Sequence, residues 1–281
     1  MGGGSGMLGA SPWTTWSLPP LVVVTAVVAL AFFVQGWARL RRRGRPDLAS
    51  WDRLVLFTVG LAVVLLGIVS PIDAIGEGYL QSGHMLQHVL IADLGVALIV
   101  LSLRGPLAVF FLPRDLLVPL ARTRWLRRAL AWLVRPRTVV LLWIVVLVAW
   151  HVPALYESAL HNRVLHDLQH VSFVLVGTLL WVVLLDPLRH GRLDPRDRVA
   201  LAATVLVVGQ ILSYVMLFSY RPFYGAYAEQ GVRLLGLSPL TDQKVSGVVM
   251  MVEQLLTLGV FLVWQLRHLA PAPLRDASDR A

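Results

Sequence analysis

HMLQHVLIADLGVALIVLSL, residues 84–103, runs for twenty residues with Asp93 as its only formal charge. At 1.5 Å of rise per residue, such a helix reaches about 30 Å, the depth of a bilayer's hydrocarbon core. It reads as the heart of a membrane span covering 80–103. Further apolar stretches of similar reach lie near 18–38, 51–70, 136–156, 164–185, 197–219 and 244–266. The whole chain agrees: of 281 residues, 57% are hydrophobic and only 15% charged, outside the usual balance of soluble domains. Lipid offers backbone polar groups no partner, so a spanning chain folds as helices or as a closed barrel. Apolar runs of this length belong to helices. The expectation is an all-α integral membrane protein with seven transmembrane helices.

The formal charge of +9 would suit nucleic acid if the basic residues formed one face, but they sort by loop. Six arginines lie between Arg39 and Arg53, eight between Arg104 and Arg137, and four between Arg189 and Arg198; Arg267, Arg275 and Arg280 come after them. The alternate loops hold only Arg163, Arg221, Arg233 and Lys244. By the positive-inside bias, the loaded loops are cytoplasmic. That sets the N-terminus outside, sets the C-terminus in the cytoplasm and leaves no role for nucleic acid. The segment RDLLVPLARTRWLRRALAWLV, 114–134, is too charged to cross. Its leucines and tryptophans among arginines predict an amphipathic helix on the inner leaflet, held by anionic lipid. Trp13, Trp16, Trp37, Trp51, Trp150 and Trp264 fall near span ends, as interfacial anchors do.

MGGGSG, 1–6, has the composition of a cloning scar, which makes Met7 the expected native start. Residues 7–270 are then a single membrane domain, and 271–281 a disordered cytoplasmic tail. There is no cysteine, so disulfides, thiolate metal sites and thiol nucleophiles are all excluded.

The hexapeptide HMLQHV, 84–89, returns as HDLQHV at 166–171. Both copies stand near the same, arginine-poor end of spans that run in the same direction, and His151 and His161 lie at that end too. His190 and His268 fall among arginines. Histidines at i and i+4 share one helix face, about 5–6 Å apart at Cβ, so each pair can offer two imidazoles to one ion. A lone intramembrane histidine often serves only as an interhelical hydrogen bonder. Four at one depth, with Met250 and Met251 entering from the same side, point instead to a metal. The candidate ligands are His84, His88, His166, His170, His151, Met250 and Met251. Copper suits imidazole and thioether ligands, and zinc is the alternative, although structural zinc usually takes cysteine. Glu157 and Asp167 could orient imidazoles, and Met216 is a further thioether. Asp93, nine residues past His84, falls half a revolution away on a regular helix and is expected off the histidine face. Three other readings stay open: a b-type cytochrome with bis-His haem, a zinc-dependent intramembrane hydrolase, and a scaffold without metal. A homo-oligomer is compatible with all of them.

SPIDAIGEGYLQSGHMLQHVL (70–90), WHVPALYESALHNRVLHDLQHVSF (150–173) and GLSPLTDQKVSGVVMMV (236–252) together resemble the CtaG family of seven-span cytochrome c oxidase assembly factors. The resemblance covers spans two to seven. It implies a prokaryotic plasma-membrane protein that matures haem–copper oxidases through their copper centres, with an oxidase subunit as partner and no catalysis of its own. The matching positions are His84, His88, His151, His166 and His170, with Asp242 and Gln243 at the start of span seven.

Overall fold

In a computed structural model that describes residues 11–188, 191 and 193–269, the regular elements are all helices. In chain order the α-helices are α1 (Pro20–Arg42), α2 (Trp51–Val69), α3 (Pro71–Gly78), α4 (Gln81–Ser102), α5 (Pro106–Phe110), α6 (Arg114–Arg122) and α7 (Arg124–Leu133). Then come α8 (Pro136–His151), α9 (Pro153–His161), α10 (Arg163–Leu185), α11 (Pro195–Leu217), α12 (Gly225–Ala228) and α13 (Pro239–Leu269). The stretches 1–6 and 271–281 and His190 lie outside the described residues.

Six helices among the described residues are long and apolar enough to cross a membrane: α1, α2 with its lead-in from Pro46, α4, α10, α11 and α13. The span expected at 136–156 is cut short. Val152 precedes Pro153, whose ring disfavours the helical conformation before it, and Val152 is extended (φ −66°, ψ 125°). The 16 residues of α8 therefore reach only about 24 Å. A seventh span is counted only when α7 and α8, bent by 72° at their junction, are taken as one.

The amphipathic segment is two helices, not one. α6 carries Pro119 in its interior, and the chain breaks at Thr123 before α7 begins. No residue of either helix is buried, and Leu116, Leu120, Trp125, Leu130 and Trp132 are exposed. Trp13, Trp16, Trp51 and Trp264 are exposed as anchors should be. Trp150 is not an anchor: it is buried, and its indole N–H donates to Ser172 Oγ at 2.8 Å.

Helices in lipid gain nothing from expelling water, so they associate through close backbone approach at small residues. α4 crosses α2 where Gly60 meets Gly95; a Cβ on Gly60 would stand 2.8 Å from the Gly95 carbonyl oxygen. On its other side, α4 meets α10 at Gly177, where any Cβ would land on the Ala92 carbonyl. Both α4 and α13 contain a π-turn, Leu90–Leu94 in one and Leu255–Gly259 in the other. The extra residue in such a turn resets the phase of the helix beyond it, and these turns are common at functional sites.

Candidate metal centre

The centre starts with how α4 begins. Its N-cap is Leu80, which has no side-chain acceptor, so the first amides need a partner from elsewhere. Asp242, buried in the first turn of α13, supplies it: its carboxylate accepts from Gln81 N at 2.6 Å, from Ser82 N at 3.1 Å and from the Ser82 hydroxyl. A carboxylate at a helix N-terminus is favoured by both hydrogen bonds and the helix dipole. α13 thus fixes the turn of α4 that carries His84 and His88. Next to it, Gln243 accepts from Phe223 N at 2.6 Å and donates to the Arg221 carbonyl at 3.3 Å. That holds the loop leading into α12.

Tyr227 of α12 acts on the first histidine. Its hydroxyl donates to the Gly76 carbonyl at 2.7 Å, so toward His84 Nδ1, 3.1 Å away, it is an acceptor. Burial pushes the Tyr227 phenol well above its ordinary pKa, which keeps that proton in place. His84 therefore carries its proton on Nδ1, and the Nε2 lone pair faces inward. Glu77 of α3 stands beside His166, its Oε1 3.0 Å from Nδ1, an ion-pair approach without hydrogen-bond geometry. Burial and then the neighbouring Asp73 raise the Glu77 carboxyl, and Arg163 opposes them. His166 Nε2 and His170 Nε2 are both buried without a hydrogen-bond partner.

These inward nitrogens converge. The ligand atoms of His84, His166 and His170 all lie within 4.8 Å of one another. Ring centroids are 5.4 Å apart for His84 and His166, and 5.2 Å for His88 and His170. His88 flanks the group: with the His84 Nε2 lone pair as acceptor, its Nε2–H donates across 2.9 Å. Imidazoles oriented by a carboxylate or a fixed hydroxyl are the usual second layer of metal ligation. The donor set therefore fits a cation that accepts nitrogen ligands.

The remaining expected ligands separate. His151 gives its Nδ1–H to the Leu147 carbonyl at 2.7 Å, leaving Nε2 buried and unpaired. It lines a cavity of about 70 Å³ together with His88 and Met250. Met251 does not line that cavity; its carbonyl accepts from Gln210 at 3.2 Å. Met216 is fully buried in the core. The Glu157 carboxylate orients no imidazole: it accepts from Gly225 N at the start of α12, while the Glu157 backbone carbonyl takes the His161 Nδ1 contact at 2.7 Å. Asp167 pairs with Arg163 at 3.2 Å and is exposed. Asp93 is not on a separate face, because the π-turn Leu90–Leu94 brings it to the same cavity as His88.

The model of the family described as cytochrome c oxidase caa3 assembly factor (Caa3_CtaG) matches residues 31–271. The chain belongs to this CtaG family. Its relatives include two uncharacterized proteins, Mb0105 of Mycobacterium bovis and MT0111 of Mycobacterium tuberculosis, each 27% identical over 246 residues. The match covers 83% of this chain and 36% of each relative, so the CtaG chain spans about a third of their length. No solved structure matches it.

Sequence reasoning missed Tyr227 and Glu77. Tyr227 lies in the four-residue helix α12, too short for any periodicity to mark it. Glu77 had a signal, since Asp73 and Glu77 stand one turn apart in the otherwise uncharged stretch before His84.

Proposed function

We propose that this CtaG protein binds copper at the His84, His166 and His170 centre, with that end of the bundle outside the cell, and passes the metal to a cytochrome c oxidase subunit. One observation carries the reading: imidazole nitrogens from two helices meet within 4.8 Å of one another, with Tyr227 bonded to one ring and Glu77 3.0 Å from another. Without cysteine, the centre suits transfer, because nitrogen ligands exchange more readily than a thiolate cage and reduced copper tolerates few ligands. The arginine-rich loops at the other end support the orientation, and the exposed leucines and tryptophans of α6 and α7 support contact with anionic lipid there.

Zinc would meet the same nitrogens. Haem is less well served, since cofactor pockets usually run to about 300–1,000 Å³ and the space beside these rings is about 70 Å³. The test is the double variant His84→Ala with His170→Ala, purified and expressed beside the oxidase. It should lose copper by elemental analysis and leave the oxidase short of copper. Unchanged copper content together with unchanged oxidase activity refutes the reading.

A further inference from the structure

We propose that the cavity next to the histidine centre, toward the arginine-rich end, is a second metal station that takes a borderline-to-soft cation on His88, His151, Met250 and Glu253, with Asp93 as countercharge. The proposal rests on the first centre only through His88, whose two nitrogens face in different directions. Its Nε2 lies 2.9 Å from His84, while Nδ1 is buried and unpaired and the residue lines the cavity.

Three buried groups around this space lack hydrogen-bond partners: His88 Nδ1, His151 Nε2 and Glu253 Oε1. Glu253 is only 9% exposed. Unsatisfied buried polar atoms are uncommon because each costs desolvation energy without return. Here three of them surround one void, and Met250 adds a polarisable sulfur to its wall. At about 70 Å³ the void has room for an ion and several waters. The ion therefore need not touch every ligand at once.

Charge separates the two stations. The first centre offers imidazole nitrogens, with the Glu77 carboxyl at its margin beside His166. The second has two carboxyls and no lysine or arginine in its wall, an arrangement that hydrocarbon penalises strongly unless a cation or proton joins it. Asp93 is held as an acceptor: the Trp181 indole N–H donates to one oxygen, and the Thr257 hydroxyl stands 3.2 Å from the other. Glu253, on the same cavity wall, lies within side-chain hydrogen-bonding reach of Asp93, and its Oε1 has no donor. Asp93 and Thr257 lie in the π-turns of α4 and α13, so both helices are deformed where the carboxyls meet.

The experiment uses the full chain in detergent, loaded with copper(I) alone under anaerobic conditions, dialysed and analysed for metal content and by X-ray absorption. The wild type should hold two ions. Glu253→Gln, which keeps shape, and His151→Ala should each hold one, with a nitrogen-only spectrum. His84→Ala with His166→Ala should also hold one, showing a sulfur neighbour that Met250→Leu removes. Two ions retained in Glu253→Gln overturn the second station. So does a single wild-type ion lost completely with the His84 and His166 pair, which leaves the first centre standing. No ion in any monodisperse preparation overturns both.

Discussion

Replacing Tyr227 by phenylalanine deletes one oxygen that has two duties: it accepts from His84 Nδ1 at 3.1 Å and donates to the Gly76 carbonyl at 2.7 Å. The ring can stay in place, so the change isolates the hydrogen bonds. Two buried groups lose a partner, which in a soluble core costs about 1–3 kcal/mol each. Interhelical hydrogen bonds in membranes average about 0.6 kcal/mol, because the unfolded reference also finds partners. The expected loss of stability is therefore about 1–2 kcal/mol, which the bundle should survive. The effect on metal is larger. Loss of a group that orients a ligand typically weakens affinity 10–100-fold, or about 1.4–2.7 kcal/mol. Competition against a chromogenic copper(I) chelator should show that drop with stoichiometry unchanged. Tyr214→Phe, at an exposed position on α11, serves as the control and should show none. An affinity for Tyr227→Phe within about twofold of wild type, in protein of normal stability, refutes the role of Tyr227 in setting the His84 tautomer.

Asp242→Ala removes the only side-chain acceptor described for the α4 amides; a cap usually contributes about 0.5–2 kcal/mol. Thermal unfolding in detergent should fall accordingly, with copper affinity falling beside it, whereas Asp242→Asn should recover part of both. Glu77→Gln keeps an acceptor near His166 Nδ1 but removes its charge, and should weaken copper about tenfold with little change in unfolding temperature. Gly177→Ala drives a methyl group onto the Ala92 carbonyl. Overpacking of this kind costs about 1–3 kcal/mol, and unfolding in denaturing detergent should register it; full stability in that variant would mean the α4–α10 contact is looser than described.

The helical fold was legible because hydropathy in long runs is additive and indifferent to detail. Span four shows where that fails: 138–150 is almost wholly apolar, yet Pro153 ends the helix at a point that averaging does not see. The meeting of the two histidine pairs was legible too, because His84, His88, His166 and His170 repeat with the same spacing on helices that run the same way. What periodicity cannot carry is a change in period. Asp93 reads as opposed to the histidines on a regular α-helix, and a single π-turn brings it to their cavity. Contacts across great separation left even less trace: nothing near Gln81 announces that its amide will be met by Asp242, 161 residues later.

That separation bears on how the protein is made. A ribosome releasing this chain into the membrane exposes His84 and His88 long before Tyr227 and Asp242 have been synthesised. Until then the α4 amides have no cap and the His84 proton is free to shift. Metal meeting the nascent chain would find flexible imidazoles with no settled geometry. The geometry of the centre is thus complete only with the last helix, so, if the centre takes copper as proposed, copper retention would report whether insertion has run to completion.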